Sequence, residues 1–341
     1  MAGYSFSKVF NYQPGWYSGD FHVHTDASMD GDYPPHIVAG IAKAEGLDFV
    51  AFTDHNSIDG FPGLYENLDF PVVPGIEVTL DKGHFNVFGM EDHRQWMDGI
   101  VGNPREIPLP ARYQSVTELM QLTSQEGLIN SINHPMLNPW DWLFEDTNIQ
   151  FVHCVELWND LYWPDNATAN PKTVELWTGW LNDGYRVVAI GGSDYHYPPR
   201  PEEGLFGERL GQPTTFVYST NLSAAAILDG VRAGRAYVSR GPRVDFQALI
   251  NGKSFMIGDD MGDEVGGVEF SASIADHQEP VLVQVVRNGE VIAESGLTGE
   301  ETSVQLADTL NPDSCAWYRL EVFDDQGEAL TITNPIFANF G

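Results

Sequence analysis

The chain has 341 residues, 42% hydrophobic and 12% aromatic, which is ordinary for a globular core, and its length suits one large domain with a small one beside it. Its formal charge is −32 and is spread along the chain: 13 Lys+Arg against 31 Asp+Glu in residues 1–240, and 4 against 18 in 241–341. Such a balance argues against a nucleic-acid partner, whose phosphates need a basic face, and reads mainly as a heavily solvated surface.

In chain order, short apolar runs alternate with helical segments up to about residue 240. "DFHVH" (20–24) is strand-like, and "PPHIVAGIAKAEG" (34–46) is a helix with proline at its start and Gly46 at its end. Further strands are expected at "LDFVAFTDHN" (47–56), "FPVVPGIEVTL" (70–80), "HFNVFGM" (84–90), "LINSINHP" (128–135), "FVHCVELWN" (151–159) and "YRVVAIGGSDYH" (185–196). Helices are expected at 115–127, 171–184 and 222–234. Seven strands alternating with helices predict an α/β protein with parallel strands, either a doubly wound sheet or a β/α barrel.

From residue 243 onward no helical period of useful length appears. "VLVQVVRNGEVIAES" (281–295) carries an Asn-Gly hairpin signal, and "AWYRLEVFDDQGEALTITNP" (316–335) reads as a second hairpin around Gly327. The expected division is residues 1–240 as the α/β domain and 241–341 as a small C-terminal β-sandwich.

No apolar run approaches the ~20 residues that cross a bilayer, and the first residues lack a signal-peptide apolar core. The expectation is a soluble protein, in the cytoplasm, acting on a small molecule with no nucleic-acid or membrane partner. The two cysteines, Cys154 and Cys315, exclude a disulfide framework, and the oligomeric state is left open.

Six of the ten histidines cluster at strand ends: His22, His24, His55, His134 and His196 follow strands, while His84 opens one. Asp26, Asp54, Glu77 and Asp194 share the pattern. In a β/α barrel the C-terminal strand ends open on one face, so distant segments converge there. Imidazole and carboxylate without cysteine is the ligand set of hydrolytic Zn, Mn or Fe sites. In "HVH", residues i and i+2 of a strand point to one face, so both rings can reach one ion.

"GDFHVHTD", "TDHN", "PGIEVT" with "GHFNVFG", "INHP" and "GGSDYH" occur in the order expected of the polymerase-and-histidinol-phosphatase (PHP) superfamily. The resemblance spans residues 16 to about 240, and "GRAYVSRGP" with the β-rich tail is most similar to its carbaryl-hydrolase-like (CehA/McbA) branch. It implies a distorted seven-stranded β/α barrel and two or three divalent ions. His22, His24, Glu77 and Asp194 would hold the first. Glu77 would bridge to a second held by His84 and His134, and Asp26, His55 and His196 would hold a third. Asp54 would orient His55.

The chemistry so implied is in-line attack on a small phosphoester by a hydroxide bridging the ions, with Glu77 as the bridge and His55 or His196 assisting the leaving group. Lys82, Arg186, Arg200 and Arg209 are the candidate phosphate-neutralising cations. The alternative is a carbamate, ester or amide hydrolase using the same centre, consistent with the aromatic stretch 138–164; a non-catalytic, metal-stabilised binding protein is a third reading. Glu156 and Asn159 are read as packing or pocket-lining groups. His36, His93 and His153 are read as structural or surface residues, and Cys154 as core.

Overall fold

The structure, a computed structural model, describes residues 8–61, 69–199, 209–298, 302–311 and 315–340. Strands β1 (Gly15–Asp20), β2 (Phe49–Phe52), β3 (Val72–Leu80), β4 (Gly83–Phe88), β5 (Ile129–Ile132), β6 (Cys154–Asn159) and β7 (Val188–Gly192) lie side by side in chain order. β2 through β6 are buried along their whole length, which explains their unbroken apolar runs. Beyond the last regular pairs of β1 and β7, Val23 bridges Tyr195 in parallel and the His24 N–H donates to Tyr195 O at 2.8 Å. The two ends of the seven-strand run therefore meet.

The strands are not all parallel, contrary to the sequence expectation. β3 pairs with β4, and β4 with β5, antiparallel; the other neighbours in the run are parallel. Only Asp81 and Lys82 separate β3 from β4, far short of the dozen or more residues a parallel crossover needs. Reversing β4 brings its first residues to the end where its neighbours finish, so His84 joins the other histidines by opening its strand.

Helices cover the sheet: α1 (Pro35–Ala44), α2 (Val116–Gln125), α3 (Asn166–Asn182) and α4 (Ala224–Arg232). Pro35 starts α1, and Ser115 and Ser223 cap α2 and α4 by accepting N–H bonds from Glu118 and Ala226. α3 starts five residues before the expected Pro171. Its opening is fastened by side chains: Asn166 Nδ2 donates to Asn159 Oδ1 and Asp160 O, and Asn170 exchanges two bonds with the Asn159 backbone. These bonds hold the turns that a proline would otherwise weaken. Among the described residues no helix is long and apolar enough to cross a membrane.

β8 (Thr214–Ser219) runs antiparallel beside β1, and β9 (Ala236–Ser239) beside β8. The elements described after β9 are all strands: β10 (Arg243–Ile250), β11 (Lys253–Met256), β12 (Gly266–Ala275), β13 (Val281–Arg287), β14 (Glu290–Leu297), β15 (Ser303–Leu310), β16 (Ala316–Phe323), β17 (Ala329–Thr333) and β18 (Ile336–Ala338). Asn288 and Gly289, both at positive φ, form the two-residue loop between β13 and β14. β11, β10, β12 and β15 form one sheet, while β14, β13, β16 and β17 continue through β9 into the large sheet. Phe246 and Phe270 from the first pack with Val283, Val285 and Leu320 from the second in one apolar core. The sheet thus runs unbroken across residue 240.

Arg319 on β16 clamps this C-terminal region to α3. It is buried, pairs with Glu321, donates to Thr178 Oγ1 at 2.9 Å and lies about 5 Å from the ring centres of Trp177 and Trp317.

Candidate metal centre

Glu77, in the middle of β3 and inaccessible to solvent, is the hub onto which the histidine-bearing ends converge. Its Oε1 lies 3.3 Å from His22 Nε2, 3.3 Å from His84 Nδ1 and 3.6 Å from His134 Nε2. Its Oε2 lies 2.5 Å from His55 Nδ1 and 3.7 Å from His24 Nε2. The buried Asn133 donates to Oε1 at 2.8 Å and fixes the carboxylate. Five imidazoles from four segments thus surround one carboxylate.

Asp194 closes the other side, its Oδ1 3.2 Å from His22 Nε2 and 3.0 Å from His24 Nε2. Among the described residues three groups emerge whose candidate ligand atoms all lie within 4.8 Å of one another: His22, His24 and Glu77; Glu77, His84 and His134; and His24, His55 and His196. His134 and Asp194 sit at φ 29° and 53°, an uncommon backbone region for residues other than glycine. Such outliers cluster where geometry serves function.

Burial and charge act against each other here. Burial would raise the Glu77 pKa, but His55, His22 and His84 hold it well below the carboxylate range. Burial would lower the His22 pKa, but Asp194, Glu156 and Glu77 raise it well above the usual imidazole value. His24 is pushed down to about 3 by burial and by neighbouring His196 and His55.

The residues fit divalent ions. His22 Nε2 and His84 Nδ1 are buried beside Glu77 without any hydrogen-bond partner, an expensive state for a polar atom unless it serves as a lone-pair donor. Glu156 Oε1 lies 2.8 Å from His22 Nδ1, an arrangement that keeps a ring proton on Nδ1, so that a bound ion would take the place of the second proton at Nε2. The Asp194 carbonyl does the same for His196 Nδ1 at 2.6 Å.

One sequence-derived ligand is displaced. Asp26 is exposed and makes none of these contacts, whereas Asp30 Oδ2 lies 3.5 Å from His55 Nε2 and 3.4 Å from His196 Nε2. The turn after "HVHT" is the cause. Ser28 N bonds back to Thr25 O and Asp26 N bonds to Tyr33 O, which turns Asp26 outward and returns Asp30 over the rings. His196 and His55 hold the Asp30 pKa below its ordinary value, against burial.

Asp54 acts through Ser28 on two histidines. Its carboxylate accepts from Thr25 N at 2.6 Å and from Ser28 Oγ at 3.0 Å, and Ser28 Oγ lies 3.1 Å from His24 Nδ1. Through Ser28 it steadies the His24 ring and, because Ser28 Oγ also accepts from His55 N at 2.9 Å, the His55 backbone, while the His55 ring is set by Thr79 Oγ1 at 2.8 Å from its Nδ1. Glu156 is part of the centre, holding His22 with one oxygen and His134 N with the other at 2.8 Å. Asn159 donates to Asp194 Oδ2 at 3.4 Å. The glycines of "GGSDYH" are needed here too, since a Cβ on Gly192 would fall 2.3 Å from His22 Cβ.

A cavity of about 190 Å³ opens on this cluster, with Asp30, His55, His196, Arg105, Trp140 and Trp163 in its wall. Of the expected cations, Lys82 is exposed, Arg186 bonds Asp260 and Phe340 O, and Arg209 lies 5.4 Å from the Tyr162 ring; none lines the cavity. Arg200 lies outside the described residues. Arg105 was not singled out from the sequence because nothing in "NPREI" marks it.

The model of the PHP domain family matches residues 20–156, which include every residue of the cluster except Asp194 and His196. Curated relatives include a probable phosphatase of Shewanella sediminis (strain HAW-EB3), 28% identical over 133 residues, covering 35% of this chain and 53% of the relative. Another, from Shewanella frigidimarina (strain NCIMB 400), is 25% identical over 128 residues, covering 34% and 52%. The chain spans about half the length of these curated relatives. Among solved structures, a two-domain protein from Bacteroides vulgatus ATCC 8482, described as containing a predicted PHP-like metal-dependent phosphoesterase, shares the fold. It matches 95% of this chain and 96% of its own at a TM-score of 0.51 and 16% identity. The sequence match and the converging histidines fall largely on the same residues, so this part of the chain is similar to the PHP domain family.

Proposed function

We propose that this protein is a metal-dependent phosphoesterase acting on small phosphoesters. The observation that carries the reading is the convergence of five imidazoles on the buried Glu77 carboxylate, at 2.5 to 3.7 Å. His22, His24, Glu77 and Asp194 would hold one ion, Glu77, His84 and His134 a second, and Asp30, His55 and His196 a third. Two or three Zn, Mn or Fe ions so held would acidify a water as the nucleophile and neutralise charge developing on the ester oxygens.

The chain's own residues prepare this chemistry. Glu156 and the Asp194 carbonyl keep protons on the outer nitrogens of His22 and His196, so their inner nitrogens are the ones left to meet an ion. If the third position is left without an ion, His55 or His196 can pass a proton from Nε2 to the leaving oxygen. Asp30, 3.4 to 3.5 Å away, steadies the charged ring. The wall of Trp140 and Trp163 seats the rest of the substrate and limits water.

This reading includes a seven-stranded barrel closed between β1 and β7, a C-terminal β-sandwich as accessory domain, and placement in the carbaryl-hydrolase-like branch on the wording of its motifs. A second reading, attack on a carbamate, ester or amide carbonyl, is favoured by the apolar wall of Leu137, Trp140 and Trp163. Release assays on phosphomonoesters, phosphodiesters and naphthyl carbamates, with and without added metal, separate the two. Metal-dependent phosphate release is the expected result, and no metal-dependent turnover on any class would defeat both.

A further inference from the structure

Arg105 supplies the only guanidinium or ammonium in the cavity wall among the described residues, in a chain of net charge −32. The same wall carries the carboxylates of Asp30, Asp160 and Asp194, which repel an anionic substrate. Through Nη1, Arg105 pairs with Asp30 and approaches His55 Nε2 at 3.4 Å. Its Nε and Nη2 make no bond to any described residue, and the side chain is 44% exposed. One edge of the fork is thus tied down and the rest is available.

The loop that carries Arg105 is fastened on both sides. The buried Asn56, last residue of "TDHN", donates from Nδ2 to Pro104 O at 3.2 Å, and its own carbonyl accepts from Gly102 N at 2.9 Å. On the other side Ile107 bridges Leu80 at the end of β3, and Ile107 O accepts from Asp81 N at 2.9 Å. Glu106 Oε1 accepts from Trp140 Nε1 at 3.3 Å, which ties the loop to the aromatic wall. A guanidinium held this way loses little further freedom when it engages a ligand.

We propose that Arg105 is the substrate-binding residue that selects phosphate-bearing anions for this site, its free N–H groups taking the non-bridging oxygens of the phosphoryl group. A planar fork of donors matches phosphate geometry and charge, and gives nothing comparable to a neutral carbamate or carboxylic ester. The assignment rests on the proposed hydrolase reading and sharpens its substrate class to the anionic phosphoesters.

The test uses the metal-loaded full chain and inorganic phosphate as probe, with calorimetric binding as the readout and metal content measured on each sample. Arg105→Gln is expected to weaken phosphate binding at least tenfold at unchanged metal content, Arg105→Lys to recover part of the loss, and Lys82→Gln to leave binding within twofold. Phosphomonoester turnover by Arg105→Gln should fall through a raised KM. Wild-type phosphate affinity in Arg105→Gln, or loss of metal in that variant, would overturn the assignment; the latter would make Arg105 a support for Asp30. Failure of the broader reading looks different: the wild-type chain would turn over none of the esters, whatever its affinity for phosphate.

Discussion

His22 and Glu156 are joined at 2.8 Å between Nδ1 and Oε1, deep beneath the histidine cluster, and the other oxygen of the same carboxylate accepts the His134 N–H at 2.8 Å. One buried acid therefore orients a ligand of the first candidate ion and a ligand of the second. Glu156→Gln keeps the shape but cannot accept both bonds. It is expected to weaken divalent-metal binding by about 10- to 100-fold, the usual cost of losing such an outer partner. Titration of the metal-free variant with Zn or Mn would check this, and wild-type affinity would show that Glu156 only packs.

Asp30 and Asp26 make opposing claims on the third position. Asp30→Asn should lower metal content or affinity at that position, whereas Asp26→Asn, altering an exposed side chain, should leave it unchanged. Parallel metal analysis of the two variants decides between them; the reverse pattern would restore the sequence expectation.

Much of the centre was legible because it depends on local rules. A period of two places His22 and His24 on one side of Val23, and strand ends gather His55, His134, Asp194 and His196. His84 stood out as the histidine that opens its strand, but the reversal of that strand was not read from the sequence, although the two-residue "DK" connection enforces it. Asp30 was not legible, because its place is decided by backbone bonds within a turn rather than by spacing from the histidines. Glu156 sits inside an apolar strand, where a pattern cannot tell a packed acid from one bonded to a ligand 134 residues away. Arg105 lies in a loop whose path is set by Asn56, and such a long-range anchor leaves no local mark.

The C-terminal region should matter for stability rather than for metal. Arg319 is buried with Glu321 and bonded to Thr178 of α3, so Arg319→Ala leaves an uncompensated buried carboxylate. A loss of about 3 to 5 kcal/mol is expected from breaking one side of a buried pair. Denaturant unfolding would measure it. A loss under 1 kcal/mol would mean that the clamp contributes little.

Removing metal should destabilise the protein. Ions that bind the native cluster and not the unfolded chain add stability by mass action, about 4 kcal/mol when free metal stands a thousandfold above its Kd. Chelation is expected to lower Tm by several degrees, and restoring Zn or Mn to recover it. An unchanged Tm after verified metal removal would separate the cluster from folding.

The most direct test is elemental analysis of the purified, undenatured chain. A centre built on Glu77 is expected to retain two or three divalent ions of Zn, Mn or Fe per chain, with Glu77→Gln dropping below one. Fewer than two ions in the wild type after equilibration with metal, or an undiminished count in Glu77→Gln, would contradict it.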